Sequence, residues 1–247
     1  MLKQRIIPLL QLLDNSLVKT TKFKRPRYIG DPTNTVRIFN ELEVDELSIV
    51  DIKASIKNFQ PNFDLLSKIS KESFMPLSYG GGIKDVRTAL KIIKLGYEKI
   101  ILNSSILENV NLITEISKEI GNQSLIVSVD IKKNFLGKYI IYGKSGSKKY
   151  NIDFLKYLQM VEEMGAGEIL VTSIDLEGTW LGLDIELVNK IVNRINIPLI
   201  VNGGVGSSND IKELFSKTNA SAVAVGSTVV FQKKDMGVLI NYPFNKN

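Results

Sequence analysis

Short apolar runs of strand length alternate with amphipathic segments along the whole chain. Each run holds four to six residues rich in Val, Ile and Leu, and the segments between carry apolar residues at spacings of three and four. This alternation is typical of successive βα units around a parallel sheet. Because eight strands make a (β/α)8 TIM barrel, we expect one α/β barrel domain over residues 1–247. The predicted strands are 5–10, 47–51, 76–79, 99–103, 125–130, 168–172, 198–202 and 222–226.

Amphipathic periodicity also predicts helices between these strands, and one segment departs from the pattern. The segment KYIIYGKSGSKKYN, at 138–151, has two apolar stretches around Gly and Ser, so it predicts a small hairpin inserted after the fifth strand. The predicted helices with defined limits are 33–42, 85–95, 109–120 and 184–195.

The two halves of the chain resemble each other in sequence. PLSYGGGIKD at 76–85 recurs as PLIVNGGVGSSND at 198–210, and DELSIVD at 45–51 recurs as GEILVTSID at 167–175. The offset between the copies is a steady 122 residues. Such a repeat predicts two fused four-strand half-barrels, at about 1–121 and 122–247, whose equivalent loops face each other across the barrel mouth.

Composition removes several classes of chemistry. The chain has no His and no Cys, which excludes disulfides, a thiol nucleophile, a Ser-His or Cys-His pair and the usual zinc sites. We expect no metal and no cofactor. The net charge is +6, but the lysines are scattered without an aromatic-interleaved stripe, so a nucleic-acid partner is not expected. A modest positive net charge of the protein is equally compatible with binding of a phosphorylated metabolite.

No apolar run approaches the ~20 residues of a membrane-spanning helix. The first residues, MLKQRIIPLL, lack the apolar region and small-residue cleavage site of a signal peptide. We therefore expect a cytoplasmic protein without a membrane partner.

Two glycine-rich loops are the candidate anion sites. In GGGIKD, consecutive glycines end a strand and precede a helix, so bare backbone N–H groups can point at one anion. A glycine pair usually marks only a tight turn, but the duplication at one barrel end favours phosphate. Two opposed sites imply a substrate with a phosphate at each end. The residues are Gly81, Gly82, Asn103 and Ser104 in the first half and Gly203, Gly204, Gly226 and Ser227 in the second.

Polar side chains at the strand ends are the candidates for chemistry between these loops. Asp130 ends the buried run SLIVSVD, where desolvation can tune a carboxyl pKa for proton transfer. For Asp51 a helix-cap role is an equal alternative. The first strand ends on the amide Gln11 where its counterpart has a carboxylate. The full set is Gln11, Asp51, Asp130, Thr172 and Asn202, with Lys19 on the first loop.

Nine blocks in order resemble the cyclase subunit of imidazole glycerol phosphate synthase. They are RIIPLL, LVK, GDP, DELSIVD, GGGIKD, LNSS, VSVD, MGAGEILVTSID and NGGVG. The resemblance implies a half-barrel-duplicated protein of histidine biosynthesis that binds a bisphosphorylated substrate. It further implies that ammonia comes from a glutaminase partner, and that imidazole glycerol phosphate and an aminoimidazole carboxamide ribotide are released.

The same resemblance implies catalytic roles for two positions. Asp130 corresponds to the family's general acid, whereas its general base is an aspartate aligned with Gln11. An amide does not accept a proton near neutral pH, and loss of a positioned base typically costs ~10²- to 10⁴-fold in rate. The substitution at Gln11 therefore puts cyclisation in doubt.

At the opposite barrel end, four strand-starting charges match the family's ammonia gate. Two positive and two negative side chains can neutralise one another, although charges there are ordinarily just solvated. A chain without Cys cannot be its own cysteine-dependent glutaminase, so a gate indicates a HisH-like glutaminase partner in a heterodimer. The gate residues are Arg5, Glu46, Lys99 and Glu168.

Three hypotheses remain for the function. The first is a divergent paralogue, of the kind found with surface-polysaccharide genes, that passes ammonia towards amidination of a sugar by a separate amidotransferase; the ending VLINYP at 238–243 resembles those paralogues. The second is a true cyclase-lyase that tolerates Gln11. The third is another phosphosugar enzyme on the same barrel.

Overall fold

A computed structural model describes residues 4–244 and contains one twelve-stranded sheet. The strands are β1 (Arg5–Leu13), β2 (Ser16–Thr21), β3 (Lys24–Gly30), β4 (Leu47–Asp51), β5 (Leu77–Gly80), β6 (Lys99–Leu102), β7 (Leu125–Lys133), β8 (Tyr139–Gly143), β9 (Lys148–Tyr150), β10 (Glu168–Ser173), β11 (Leu199–Asn202) and β12 (Ala222–Val225). The helices are α1 (Pro32–Glu41), α2 (Ala54–Lys57), α3 (Phe63–Glu72), α4 (Val86–Lys94), α5 (Ser104–Glu108), α6 (Leu112–Ile120), α7 (Phe154–Glu163), α8 (Ile185–Ile191), α9 (Ser208–Lys217) and α10 (Ser227–Val230).

Eight of the strands close into a parallel barrel. They run around it in the order β1, β4, β5, β6, β7, β10, β11 and β12, and β12 pairs with β1. All eight contacts are parallel, including the pairings of β6 with β7 and of β12 with β1, which connect residues 1–121 to residues 122–247. The predicted (β/α)8 barrel is confirmed, and each of the eight predicted strands corresponds to one barrel strand.

Alternation along the strands divides the apolar residues into two clusters. Inward-facing side chains such as Ile7, Leu9, Ile101, Ile126 and Leu170 fill the barrel interior. A larger cluster lies between the outer face of the barrel and the helices. The interior is therefore a packed plug of side chains with a polar region at each end.

Two antiparallel hairpins extend the barrel at its C-terminal end, and only one was predicted. Strands β8 and β9 form the predicted hairpin after the fifth barrel strand, β7. The segment taken as a loop after β1 is a second hairpin, so Lys19 lies on strand β2 and not on a loop. This expectation was wrong because the turn residues are Lys22 and Phe23, both at positive φ, where Gly or Asn would normally signal a turn.

Two predicted helices have different limits. The helix expected over 109–120 begins at Leu112, and the short helix α5 precedes it directly after β6. The helix expected over 184–195 ends at Ile191. Asn103 and Gly226 each stand immediately before a one-turn helix, which brings the polar loop residues back towards the barrel mouth.

The C-terminal segment contains no helix after α10 among the described residues. Val238 forms an isolated antiparallel bridge with Phe231. The segment then returns towards the N-terminal end of the barrel, where the Tyr242 hydroxyl donates to the Ile6 carbonyl at 3.2 Å and Phe244 is buried. No helix within residues 4–244 is both long and apolar enough to cross a membrane.

Gly167 offers a test of the close packing just before β10. A Cβ at Gly167 would lie 1.9 Å from the Asn122 carbonyl oxygen, whereas one at Gly237 would meet nothing within 4 Å. We expect Gly167→Ala to lower the free energy of unfolding by at least ~1–3 kcal/mol, measured by urea denaturation, because the backbone must shift. Gly237→Ala is the matched control; equal stability of the two variants would contradict this packing.

Candidate functional site

The barrel mouth contains a cavity of about 320 Å³. Its floor is made by the inward side chains Leu9, Ile101, Ser128 and Leu170. Nine of the predicted site residues line it: Gln11, Asp51, Gly81, Gly82, Asn103, Ser104, Asp130, Thr172 and Asn202. Because parallel strands end on one side of a barrel, residues far apart in sequence meet here.

Asp130 is the buried acid of this cavity. Its Oδ2 accepts a hydrogen bond from the Asn103 side-chain amide at 2.9 Å, and the Thr172 hydroxyl is a second partner. Burial raises the pKa of Asp130 from its ordinary 3.8 to about 7, although these two hydrogen bonds oppose the change. A carboxyl group with this pKa can both give and take a proton at neutral pH.

The first glycine loop faces the same cavity. Gly81 and Gly82 have φ values of +123° and +70°, and added Cβ atoms would lie 2.8 Å from the Asp51 carbonyl oxygen and 2.6 Å from the Phe59 carbonyl oxygen. Within residues 4–244, no acceptor receives the backbone N–H groups of Gly82 and Ile83. The glycines are therefore required by the loop backbone, which also leaves donors directed to the cavity.

Asp51 has a local structural role beside this loop. Its Oδ1 accepts hydrogen bonds from the backbone N–H groups of Lys53 and Ala54, both at 2.9 Å. Asp51 thus makes an Asx turn that leads into α2, whose N-cap residue is Lys53. Asp51 still contributes to the cavity wall, but one carboxylate oxygen is committed to the backbone.

The second glycine loop lies at a separate cavity of only about 20 Å³. The predicted residues Gly203, Gly204, Gly226 and Ser227 line it with Lys19. A Cβ on Gly203 would lie 2.6 Å from the Ser173 carbonyl oxygen, and one on Gly204 would lie 1.9 Å from that of Gly182. Because of this close packing, a bulky substitution at Gly203 would distort the loop itself and would not act only on an anion.

Glu177 is the residue of this site that sequence reasoning missed. It is buried on the connection after β10, and its Oε1 forms an ion pair with Lys19. The same oxygen accepts from the Thr20 hydroxyl at 3.0 Å and from the Gln11 amide at 3.3 Å. Nothing in the pattern DLEGT distinguished Glu177 from Asp175, since its partners lie more than 150 residues away.

Gln11 is buried and makes hydrogen bonds as both donor and acceptor. Its amide NH₂ donates to Glu177, and its Oε1 accepts from the backbone N–H of Thr20 at 2.9 Å and the Thr20 hydroxyl at 3.1 Å. A carboxylate in this position could accept from Thr20 but could not donate to Glu177. Burial lowers the pKa of Lys19, against the opposing effect of the Glu177 carboxylate.

The tips of the two hairpins meet above the mouth. The Phe23 backbone N–H donates to Glu177 Oε2 at 3.0 Å, and the Phe23 ring lies against Gly146. From the other hairpin, the Ser145 hydroxyl donates to the Ile52 carbonyl at 2.6 Å. These contacts cover part of the cavity and were not predicted, because neither tip carries a recognised site motif.

The four predicted gate residues form one ion-pair network at the opposite end of the barrel. Arg5 bonds to Glu46 at 3.2 Å and to Glu168 at 2.9 Å, and Lys99 bonds to Glu168 at 2.5 Å. Burial alone would lower the pKa of Arg5, but the two carboxylates outweigh it and raise that pKa. Burial raises the pKa of Glu46, against the charges of Arg5 and Lys99. The two positive and two negative charges thus neutralise one another.

Comparisons with known proteins place these features in a family. Residues 5–235 match the family described as histidine biosynthesis protein. A Pseudomonas aeruginosa protein provisionally named imidazole glycerol phosphate synthase subunit hisF2 is 45% identical over 98% of this chain and 97% of its own length. A Vibrio vulnificus protein provisionally named subunit hisF3 is 43% identical over 98% and 94%. The imidazole glycerol phosphate synthase subunit HisF of Methanococcus vannielii is 36% identical over 96% and 94%.

Asp130 predicts a specific pH dependence of stability. Between about pH 4 and 7 the Asp130 carboxyl group is ionised in the unfolded chain but still protonated in the folded protein. The stability that the protonated Asp130 contributes below this range is therefore lost as the pH rises through 7. The complete effect of such a shift is about 4 kcal/mol. Urea unfolding should therefore show Asp130→Asn gaining stability relative to wild type between pH 5 and 8. A pH-independent difference would contradict the raised pKa.

Proposed function

The chain belongs to the histidine biosynthesis protein family, in its group of imidazole glycerol phosphate synthase HisF subunits, and we propose that it receives ammonia from a glutaminase and delivers it to a phosphorylated substrate. One observation carries the proposal: a self-neutralising network of four charges and a cavity with a buried carboxyl group of raised pKa lie at opposite ends of one barrel. The cytoplasm is the expected compartment.

The barrel interior between the two ends supports passage of a small neutral molecule. On one side the inward positions hold Ser48 and Ser78, whose hydroxyl oxygens are 2.7 Å apart, and Ser128 opens into the floor of the mouth cavity. Ala222 and Ala224 on β12 have small side chains that leave space on another side. The serine hydroxyls can hydrogen-bond to ammonia, and neither they nor the methyl groups add a charge that would trap it as ammonium.

The first glycine loop supports binding of a phosphate group. Donors at Gly82 and Ile83 face the cavity beside Asn103 and Ser104, and backbone N–H groups of this kind bind anions without a dedicated cation. We propose that this loop holds the phosphate while Asp130 acts as the general acid next to the reacting group.

Gln11 supports a role outside histidine biosynthesis. The position aligned with the family's base is an amide that accepts from Thr20 and donates to Glu177, and an amide does not take a proton near neutral pH. We propose that the delivered ammonia serves amidination of a sugar in surface-polysaccharide biosynthesis, carried out by a separate amidotransferase. Two relatives provisionally named hisF2 and hisF3 are consistent with additional, specialised copies of the subunit.

A true cyclase-lyase is the second candidate function. Asp130 is retained at the position of the general acid. The Glu177 carboxylate lies 3.3 Å from the Gln11 amide, which stands at the position of the family's base. If Glu177 substitutes for that base, the chain itself would form imidazole glycerol phosphate.

Gln11→Asp separates the two candidates. If the amide is the reason that cyclisation fails, the new carboxylate should raise ammonia-dependent cyclase activity by a measurable part of ~10²- to 10⁴-fold. The assay uses the bisphosphorylated histidine-pathway substrate with an ammonium salt, and the double variant Gln11→Asp, Asp130→Asn should return to background. Efficient wild-type cyclisation with no gain from aspartate would favour the second candidate.

Docking of a glutaminase should depend on the end of the barrel that carries the charged ring. Phe74 lies at this end, on the connection before β5, and is 90% exposed, whereas Phe135 lies on the opposite end at the β7–β8 turn and is 95% exposed. We expect Phe74→Asp to weaken binding of the cognate glutaminase at least about tenfold by calorimetry, because a charge would enter the interface. Phe135→Asp is the matched control.

The same titration also tests the partnership as a whole. A well-folded cognate glutaminase should bind wild-type protein and hydrolyse glutamine faster in its presence. Absence of both effects would overturn the proposal, and loss of binding in Phe135→Asp but not in Phe74→Asp would place the partner at the wrong end.

A further inference from the structure

The two glycine loops of the mouth differ in the space that they enclose. Gly81 and Gly82 line the mouth cavity of about 320 Å³, whereas Gly203 and Gly204 line the separate cavity of only about 20 Å³. The smaller volume accommodates about one water molecule, whereas a phosphate group has five heavy atoms. The near-identical loop sequences gave no sign of this difference.

The chain's own Lys19 fills the second loop. Its side chain lies against Gly226, where an added Cβ would be 2.9 Å from Lys19 Cε. Its ammonium group donates to the Thr20 carbonyl at 2.8 Å and forms the ion pair with Glu177, and Lys19 and Glu177 are 8% and 3% exposed. Glu177 thus neutralises the Lys19 ammonium group, which could otherwise bind a phosphate group of a ligand.

Both oxygens of Glu177 are committed, which keeps the ion pair in place. Oε1 accepts from Lys19, Thr20 and Gln11, and Oε2 accepts from the Phe23 backbone N–H at 3.0 Å. A second phosphate would have to enter beside this carboxylate and take Lys19 from it. Like-charge repulsion and the loss of a buried ion pair both oppose that exchange.

We propose that the chain binds substrates with a single phosphate group, held by the first glycine loop, and that the Lys19–Glu177 pair closes the second loop. Gln11 is then a positioning residue, since its amide donates to Glu177 in a way that an aspartate could not. The substrate class is a phosphomonoester and not a bisphosphate with a phosphate at each end. This inference rests on the phosphate-binding part of the proposed function.

The test is an NMR titration of the ¹⁵N-labelled full chain with inorganic phosphate. In wild type, amide signals of Gly82 and Ser104 should shift, with a dissociation constant at least about tenfold lower than any measured at Gly204 and Ser227. Comparable affinities at both loops would overturn the single-phosphate inference and leave the proposed function intact. If the signals of neither loop shift, the phosphate-binding part of the proposed function is overturned as well.

A pair of isosteric variants tests the role of the ion pair. Glu177→Gln removes the buried negative charge and releases Lys19, so phosphate affinity at Gly204 and Ser227 should rise about tenfold or more. Glu186→Gln makes the same change on the exposed side of α8 and should alter neither loop. A folded Glu177→Gln protein, as judged from its amide spectrum, with an unchanged second loop would overturn the closure by Glu177.

Discussion

Closure of the parallel barrel is the constraint on which the rest of the structure depends. The pairing of β7 with β10 sets Asp130 beside Thr172, and the next pairing sets Thr172 beside Asn202. Side chains alternate between the two faces of each strand. The inward-facing residues therefore lie in turn at the bottom, in the interior and at the mouth of the barrel. The charged ring and the cavity therefore share an axis by construction.

Buried charged groups have different partners at the two ends of the barrel axis. At the bottom, Arg5 and Lys99 neutralise two glutamates while all four remain partly accessible, so each charge keeps some hydration. At the mouth the groups are more deeply buried, and within residues 4–244 the hydrogen-bond partners of Asp130 are the neutral side chains of Asn103 and Thr172. Desolvation without a counter-charge raises its pKa, which makes it suitable for proton transfer.

The two halves of the mouth differ more than their loop sequences do. Both glycine pairs adopt positive φ, and in each half the next barrel strand is followed by a short helix, α5 or α10. The difference comes from Lys19 and Glu177, which lie outside the repeated motifs and meet across 158 positions. A neutral Gln11 fits between them, since a second carboxylate there would compete with Glu177 for Thr20 and repel it. The amide at the position aligned with the family's base thus has a structural role, because it donates to Glu177.

The sequence by itself determined the barrel, its eight strands, the ring of four charges and most residues of the mouth. The strands and the mouth residues follow from local periodicity, as in RIIPLL and SLIVSVD, and from the rule that strand ends converge, whereas the four charges were recognised from the family resemblance. Tertiary structure alone decided that Lys19 lies on a strand, that Glu177 holds it, and that one glycine loop is open and the other closed. Those outcomes depend on side-chain contacts between distant segments and on free volume, neither of which leaves a periodic signal in the chain.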